Sequence, residues 1–180
     1  DELELGVPLL QPRDEGTAAV RRQVDALVRD CGCTDDVEFA LRLASSFPKV
    51  LDTIFGAADE FAKQVSALSG GKFTITTHAG GELMPPLGVL DGVSNGTVEC
   101  AHTAPYYFFG KDDTFALACA IPFGLNSRQM TAWMYEGNGL KLMREFYAKV
   151  NIVNFPMGNT GAQMGGWYRK EIMSLADVKR

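Results

Sequence analysis

Apolar and polar residues alternate from Phe39 to Ser46 (FALRLASS), then change to a spacing near 3.6 after Asp52. The alternation predicts a strand closed by Phe47-Pro48, and the wider spacing predicts a helix. On that helix Ile54, Ala57, Ala58, Phe61, Val65 and Leu68 form one stripe, with Asp52 as cap and Gly70-Gly71 as stop. Lys72 to Thr77 (KFTITT) predicts a second strand. Met84 to Ser94 predicts a second helix with Pro85 and Pro86 in its first turn, where a missing N–H costs little. Thr97 to Thr103 (TVECAHT) predicts a third strand. Strand and helix alternating through short links imply parallel pairing by right-handed crossovers.

Farther on, Met130, Trp133, Met134, Leu140, Met143, Phe146, Tyr147 and Val150 predict one long helix from a Ser127 cap to Val150. Gly137 and Gly139 cost it about 1 kcal/mol each, so a bend is expected there. Ile152 to Phe155 predicts a further strand, and the glycine-rich ribbon GNTGAQMGGWYRKE (Gly158 to Glu171) follows directly. Ser174 caps a last helix start. At the other end, Glu15 to Arg29 predicts an amphipathic helix with Val20, Val24, Leu27 and Val28 on one face. The expected organisation is an appendage over residues 1–36 and an α/β lobe over 37–180.

At 46% hydrophobic and 22% charged, the 180 residues suffice for one domain with a core. No run approaches the roughly 20 apolar residues of a membrane span, and the amino end does not read as a signal peptide. Residues 1–37 hold nine acids against four bases, a net of −5 that equals the whole-chain net, so residues 38–180 balance at zero. Without a basic excess to neutralise phosphates, nucleic acid is excluded as a partner.

Chemistry is sparse. Cys31 and Cys33 form a C-x-C, but zinc needs two more ligands there, and His78 and His102 are the chain's only histidines. Cys100 and Cys119 are expected to be buried thiols. Cys100 and His102 stand two apart on a predicted strand, so one alternative is an enzyme built on a Cys/His couple. No nucleophile elbow, phosphate loop or dinucleotide fingerprint occurs. No catalytic residue is assigned.

In a parallel sheet, ligands sit beyond the carboxyl ends of the strands. The segments that follow predicted strands are Ser45 to Pro48, His78 to Glu82, Thr103 to Gly110 and Gly158 to Gln163. They combine hydroxyls, amides and aromatic walls with few charges, the mixture of a small-molecule pocket. Tyr106, Tyr107, Phe108 and Phe109 divide between pocket and core, since four adjacent aromatics cannot all face inward.

RLASSFPK, HTAPYYFFGKDD, IPFGL and GNTGAQMGGWYRKEI resemble, in that order, the solute-binding subunits of TRAP transporters (the DctP-like family), closest to the branch that binds 2-oxo acids. The similarity covers Val37 to about Lys179. It implies a periplasmic-binding-protein-like (type II-like) lobe, incomplete at this length: the first lobe and the start of the crossover to a second. The implied protein is periplasmic, binds a small organic carboxylate such as pyruvate by cleft closure, and passes it to TRAP membrane permease subunits without spanning the membrane. By the motif, Gln163 holds a sodium ion that bridges to the substrate, its amide oxygen a hard ligand for a hard cation. Asn159 adds neutral hydrogen bonds, and Ser46, Phe47, Tyr106 and Tyr107 are substrate-binding candidates by position. Apolar surface left bare by an absent second lobe implies self-association.

Overall fold

The computed structural model describes residues 38–119 and 121–178. The helix expected over Glu15 to Arg29, the Cys31/Cys33 pair, and Lys179 and Arg180 lie outside the described residues.

The first strand, β1, runs Phe39–Ser45 and the first helix, α1, runs Asp52–Leu68. Asp52 is the helix's first residue rather than its cap; Leu51 precedes it, and the Asp52 carboxylate accepts from Thr53 N at 2.7 Å. The buried face is also turned from the expected stripe. Phe55 and Ala58 are buried, whereas Phe61 and Leu68 are exposed. The helix packs chiefly on β2 (Phe73–His78), and the Thr77 hydroxyl donates to Asp59 at 2.6 Å across that contact. Pro86–Gly88 forms a 3₁₀ turn that leads into α2 (Val89–Ser94), so the expected single helix is two pieces.

β3 is only Cys100–His102. The residues before it are held in a turn, with Gly96 at φ +77° and Thr97 N donating to Gly92 O at 2.8 Å, so they do not extend the strand. The sheet order is β2-β1-β3, with β1 and β3 parallel and in the register Leu43↔Cys100, Ala44↔Ala101, Ser45↔His102. At the outer end of that ladder, Arg42 reaches Glu99 through Nη2 (2.6 Å) and Nε (3.1 Å).

After β3 come a 3₁₀ turn, Pro105–Phe108, and a short α3, Thr114–Leu117. The long helix expected over 127–150 is two helices, α4 (Ser127–Tyr135) and α5 (Gly139–Ala148). Its cap is Asn126, not Ser127: Asn126 Oδ1 accepts from Gln129 N and Gln129 Oε1 accepts from Asn126 N, each at 3.0 Å. The break has a steric cause. A Cβ at Gly139 would lie 2.7 Å from Trp133 Cδ2, and one at Gly137 would lie 2.8 Å from Trp133 O, so the two glycines let Trp133 fold into the elbow.

Ala44, Val89, Leu90, Val98, Phe108, Phe115, Met134, Met143 and Tyr147 make one buried cluster beside β1. Phe115 is its hub, with Phe108, Phe146 and Tyr147 at ring distances of 5.9, 4.9 and 5.6 Å in edge-on contacts. Ile152 to Phe155 is not a strand. Its burial does alternate, with Ile152 and Asn154 half-buried and Val153 and Phe155 exposed, but no described strand pairs with it. The last helix, α6, is Leu175–Val178.

Candidate functional site

Parallel pairing of β1 and β3 places Ser45 beside His102, and Ser46 N continues the ladder to His102 O at 2.9 Å. The two strand exits therefore run side by side. Ser46 and Phe47 leave β1 as Thr103 to Tyr107 leave β3. A third loop joins them where Gly80 N donates to Phe47 O at 2.9 Å. Gly80 sits so close that a Cβ there would meet Ser46 O at 2.9 Å. Of the candidates, Ser46, Phe47, Tyr106 and Tyr107 are brought together here.

Ser46 is 8% exposed. Its hydroxyl donates to Pro86 O and meets the Thr103 hydroxyl, each at 2.7 Å. Since the one Ser46 proton goes to Pro86, Thr103 is the donor of the second bond. The Ser45 hydroxyl accepts from Phe47 N at 3.0 Å and lies 3.5 Å from His102 Nδ1. The Phe47 ring packs against His102 at 5.0 Å and Tyr107 at 6.1 Å, and Tyr107 meets Tyr106 edge-on at 4.8 Å. Of the four consecutive aromatics, only Phe108 is buried; Tyr106, Tyr107 and Phe109 are exposed. The result is a shelf of two phenols and a phenyl ring on a floor of buried hydroxyls.

The shelf is neutral at pH 7. Burial pushes the His102 imidazole below its ordinary value, so it carries no charge, and burial raises the Tyr106 phenol, which stays a donor. The nearest cation in sequence, Lys49, is paired with Glu82 at 2.8 Å and draws that carboxyl below its usual range. Glu82 also accepts from Ala79 N at 3.0 Å, which braces the loop that carries Gly80. A shallow depression of about 410 Å³ is lined by Lys49, Asp52, Phe55, Gly56, Asp59 and Thr77. None of the shelf candidates lines it.

Asn159 and Gln163 lie in the stretch between α5 and α6, and their hydrogen bonds stay within it. Asn159 Oδ1 accepts from Gly161 N at 2.7 Å, and Gln163 Nε2 donates to Thr160 Oγ1 at 3.0 Å. Both are exposed, and no hydrogen bond among the described residues links them to the shelf. Trp167 is 90% exposed. The Gln163 amide oxygen takes no part in the bond to Thr160, so it is a neutral oxygen of the kind sodium accepts. A hard cation gathers about six oxygens, and the described residues hold no group of three His, Cys, Asp or Glu that could complete such a set. They fit one corner of a cation site.

Cys100 and His102 are not a couple. The Cys100 thiol points to Arg42 O at 3.5 Å, and burial, with Glu99 nearby, pushes it up to about 11, the reverse of an activated thiolate. Cys119 is also raised by burial. Sequence reasoning missed Thr103 and Gly80 as individual members of the site. The β1–β3 register is the signal that finds Thr103, because it sets the two residues after the paired Ser45 and His102 against each other.

Residues 44–180 match the family of bacterial extracellular solute-binding proteins, family 7 (DctP). Over 170 residues the chain is 48% identical to a monocarboxylate 2-oxoacid-binding periplasmic protein of Nostoc sp., which covers 91% of this chain and 46% of that one. A TRAP transporter solute-binding protein of Bordetella bronchiseptica, solved as a dimer with calcium and picolinate in one site, is 50% identical. It superposes with a TM-score of 0.74 over 79% of this chain and 43% of its own. A TRAP periplasmic solute-binding protein of Pseudoalteromonas atlantica, with bound sodium and pyruvate, is 39% identical with a TM-score of 0.73 and the same coverage. The chain spans under half the length of these relatives. No described helix is long and apolar enough to cross a membrane.

Proposed function

The chain belongs to the bacterial extracellular solute-binding proteins of family 7, and from that premise we propose that its shelf is one wall of a cleft for a small 2-oxo acid such as pyruvate. The observation that carries the reading is the meeting of Ser46, Phe47, Tyr106 and Tyr107 beyond the carboxyl ends of two parallel strands. The phenols donate to the ligand's oxygens while the Phe47 ring covers its apolar end. A neutral shelf does not balance a carboxylate's charge. The compensation comes from sodium held by Gln163, with Asn159 adding a hydrogen bond, where the 158–168 ribbon lines the cleft. The bound pyruvate and sodium of the Pseudoalteromonas relative support this pairing.

On the same reading the protein works in the periplasm, hands its ligand to a TRAP membrane permease, and is not an enzyme. Residues 37–180 form the first lobe and the start of the crossover, with residues 1–36 a separate appendage.

The test is a pyruvate titration of the isotopically labelled chain, followed by amide and ring resonances in sodium and in potassium buffer. One wall alone binds weakly, with a dissociation constant of about 1 mM or above. The shifts are expected at Ser46, Phe47, Tyr106 and Tyr107 and at Asn159 and Gln163, and to shrink in potassium. No shifts at saturating pyruvate, or shifts confined to residues far from both segments, overturn the proposal.

A further inference from the structure

Its place at a strand end marks Ser46 as a candidate ligand contact, but its hydroxyl is already committed. It gives its proton to Pro86 O and takes one from Thr103, both at 2.7 Å, in a site where Ser46 is 8% exposed. Thr103 begins this chain at the β3 exit, Ser46 stands at the β1 exit, and Pro86 opens the 3₁₀ turn before α2. Three loops from three different connections thus meet on one oxygen. Such a linear chain of hydroxyls is cooperative, each bond polarising the next. Phe47 is the residue after Ser46, and its ring faces His102 and Tyr107 across the same exits.

We propose that Ser46 and Thr103 are positioning residues, a two-hydroxyl staple onto the Pro86 carbonyl that sets the distance between Phe47 and Tyr107 and gives no hydrogen bond to the ligand. This rests on the shelf being the ligand wall. A staple works only as a unit. Loss of either hydroxyl breaks the side-chain link between the β1 and β3 exits, leaving the backbone bond from Ser46 N to His102 O, and loss of the second then adds nothing to that break.

The experiment uses Ser46→Ala, Thr103→Val, the double variant and Thr103→Ser, each checked for full folding by urea titration. Pyruvate in sodium buffer is the probe. Ser46→Ala, which removes both bonds, and Thr103→Val, which removes the one between the two exits, each break the link between Ser46 and Thr103. Each is expected to raise the dissociation constant of the folded protein about fivefold, the cost of ordering the Phe47 and Tyr107 side chains on binding. Each is also expected to move the Phe47 and Tyr107 ring resonances in the absence of ligand. The double variant is expected to match the singles, and Thr103→Ser to match the parent. Losses that multiply in the double variant mean two independent ligand contacts and overturn the proposal. So do ring resonances that stay in place. If the parent itself shows no pyruvate shifts, the assigned ligand is wrong, while the ring resonances still decide whether the staple sets Phe47 against Tyr107.

Discussion

Gly80→Ala tests how tightly the three exits are packed. The backbone there has no left-handed strain, so alanine meets only a steric problem: its Cβ would lie 2.9 Å from Ser46 O, 3.1 Å from Ser46 C and 3.3 Å from Pro86 Cγ. Two of these three atoms are backbone and cannot turn away as a flexible side chain can. Relief requires the β1 exit to move by several tenths of an ångström, at the expense of the Gly80 N to Phe47 O bond of 2.9 Å. Overpacking of this kind costs about 1–3 kcal/mol. With a urea dependence of about 2 kcal/mol/M for a chain of this size, the midpoint falls by about 0.5–1.5 M. Gly56→Ala is the control. It sits inside α1 with nothing within 4 Å of its Cβ position, so helix propensity predicts a gain of up to about 1 kcal/mol. Both variants add one methyl group, and the structure requires opposite signs. The assay is urea unfolding followed by circular dichroism. A Gly80→Ala midpoint equal to the parent's, or opposite to it in the gaining direction, refutes the close approach of these loops.

Phe115→Ala removes the hub of four packed rings in a core position 2% exposed and is expected to cost about 3–5 kcal/mol, read as collapse of the near-ultraviolet dichroism. Arg42 beside Glu99 depresses the carboxyl from its ordinary 4.5 to about 2. A depressed folded value contributes stability that is present above pH 4.5 and lost as pH falls towards about 2. The urea midpoint of the parent is therefore expected to drop more steeply through that window than that of Glu99→Gln; parallel curves would show the pair contributes nothing. Cys100, raised to about 11 by burial, is expected to resist iodoacetamide at pH 7.5 in the folded protein and to react once unfolded. Alkylation faster than that of a free thiol would restore the Cys/His enzyme as a reading. The exposed Val153, Phe155, Met164, Trp167, Met173 and Leu175 predict self-association at high concentration, and a single monomeric boundary in sedimentation velocity would count against it.

Much of the architecture was legible because it is local. The period-two run at Phe39 and the 3.6 spacing after Asp52 identify β1 and α1 with little help from the rest of the chain. Element order alone implies a parallel α/β lobe, since a strand separated from its partner by a helix has few other ways to pair. The motif order from RLASSFPK to GNTGAQMGGWYRKEI carried the family resemblance, which the match over residues 44–180 bears out.

Tertiary structure decided what spacing could not. Whether a helical stripe continues or breaks depended on what lies against it, and Trp133 folding over Gly137 and Gly139 split one expected helix in two. The rotation of α1, which buries Phe55 instead of Phe61, was set by its contact with β2. Ile152 to Phe155 has a strand's alternation without a described strand beside it, and a ladder needs two partners. At the shelf, the sequence by itself marked Ser46, Phe47 and the tyrosines as strand-end residues. Only the register of β1 against β3 joined Ser46 to Thr103, because a hydrogen bond between residues 57 positions apart is a property of the fold and leaves no local pattern.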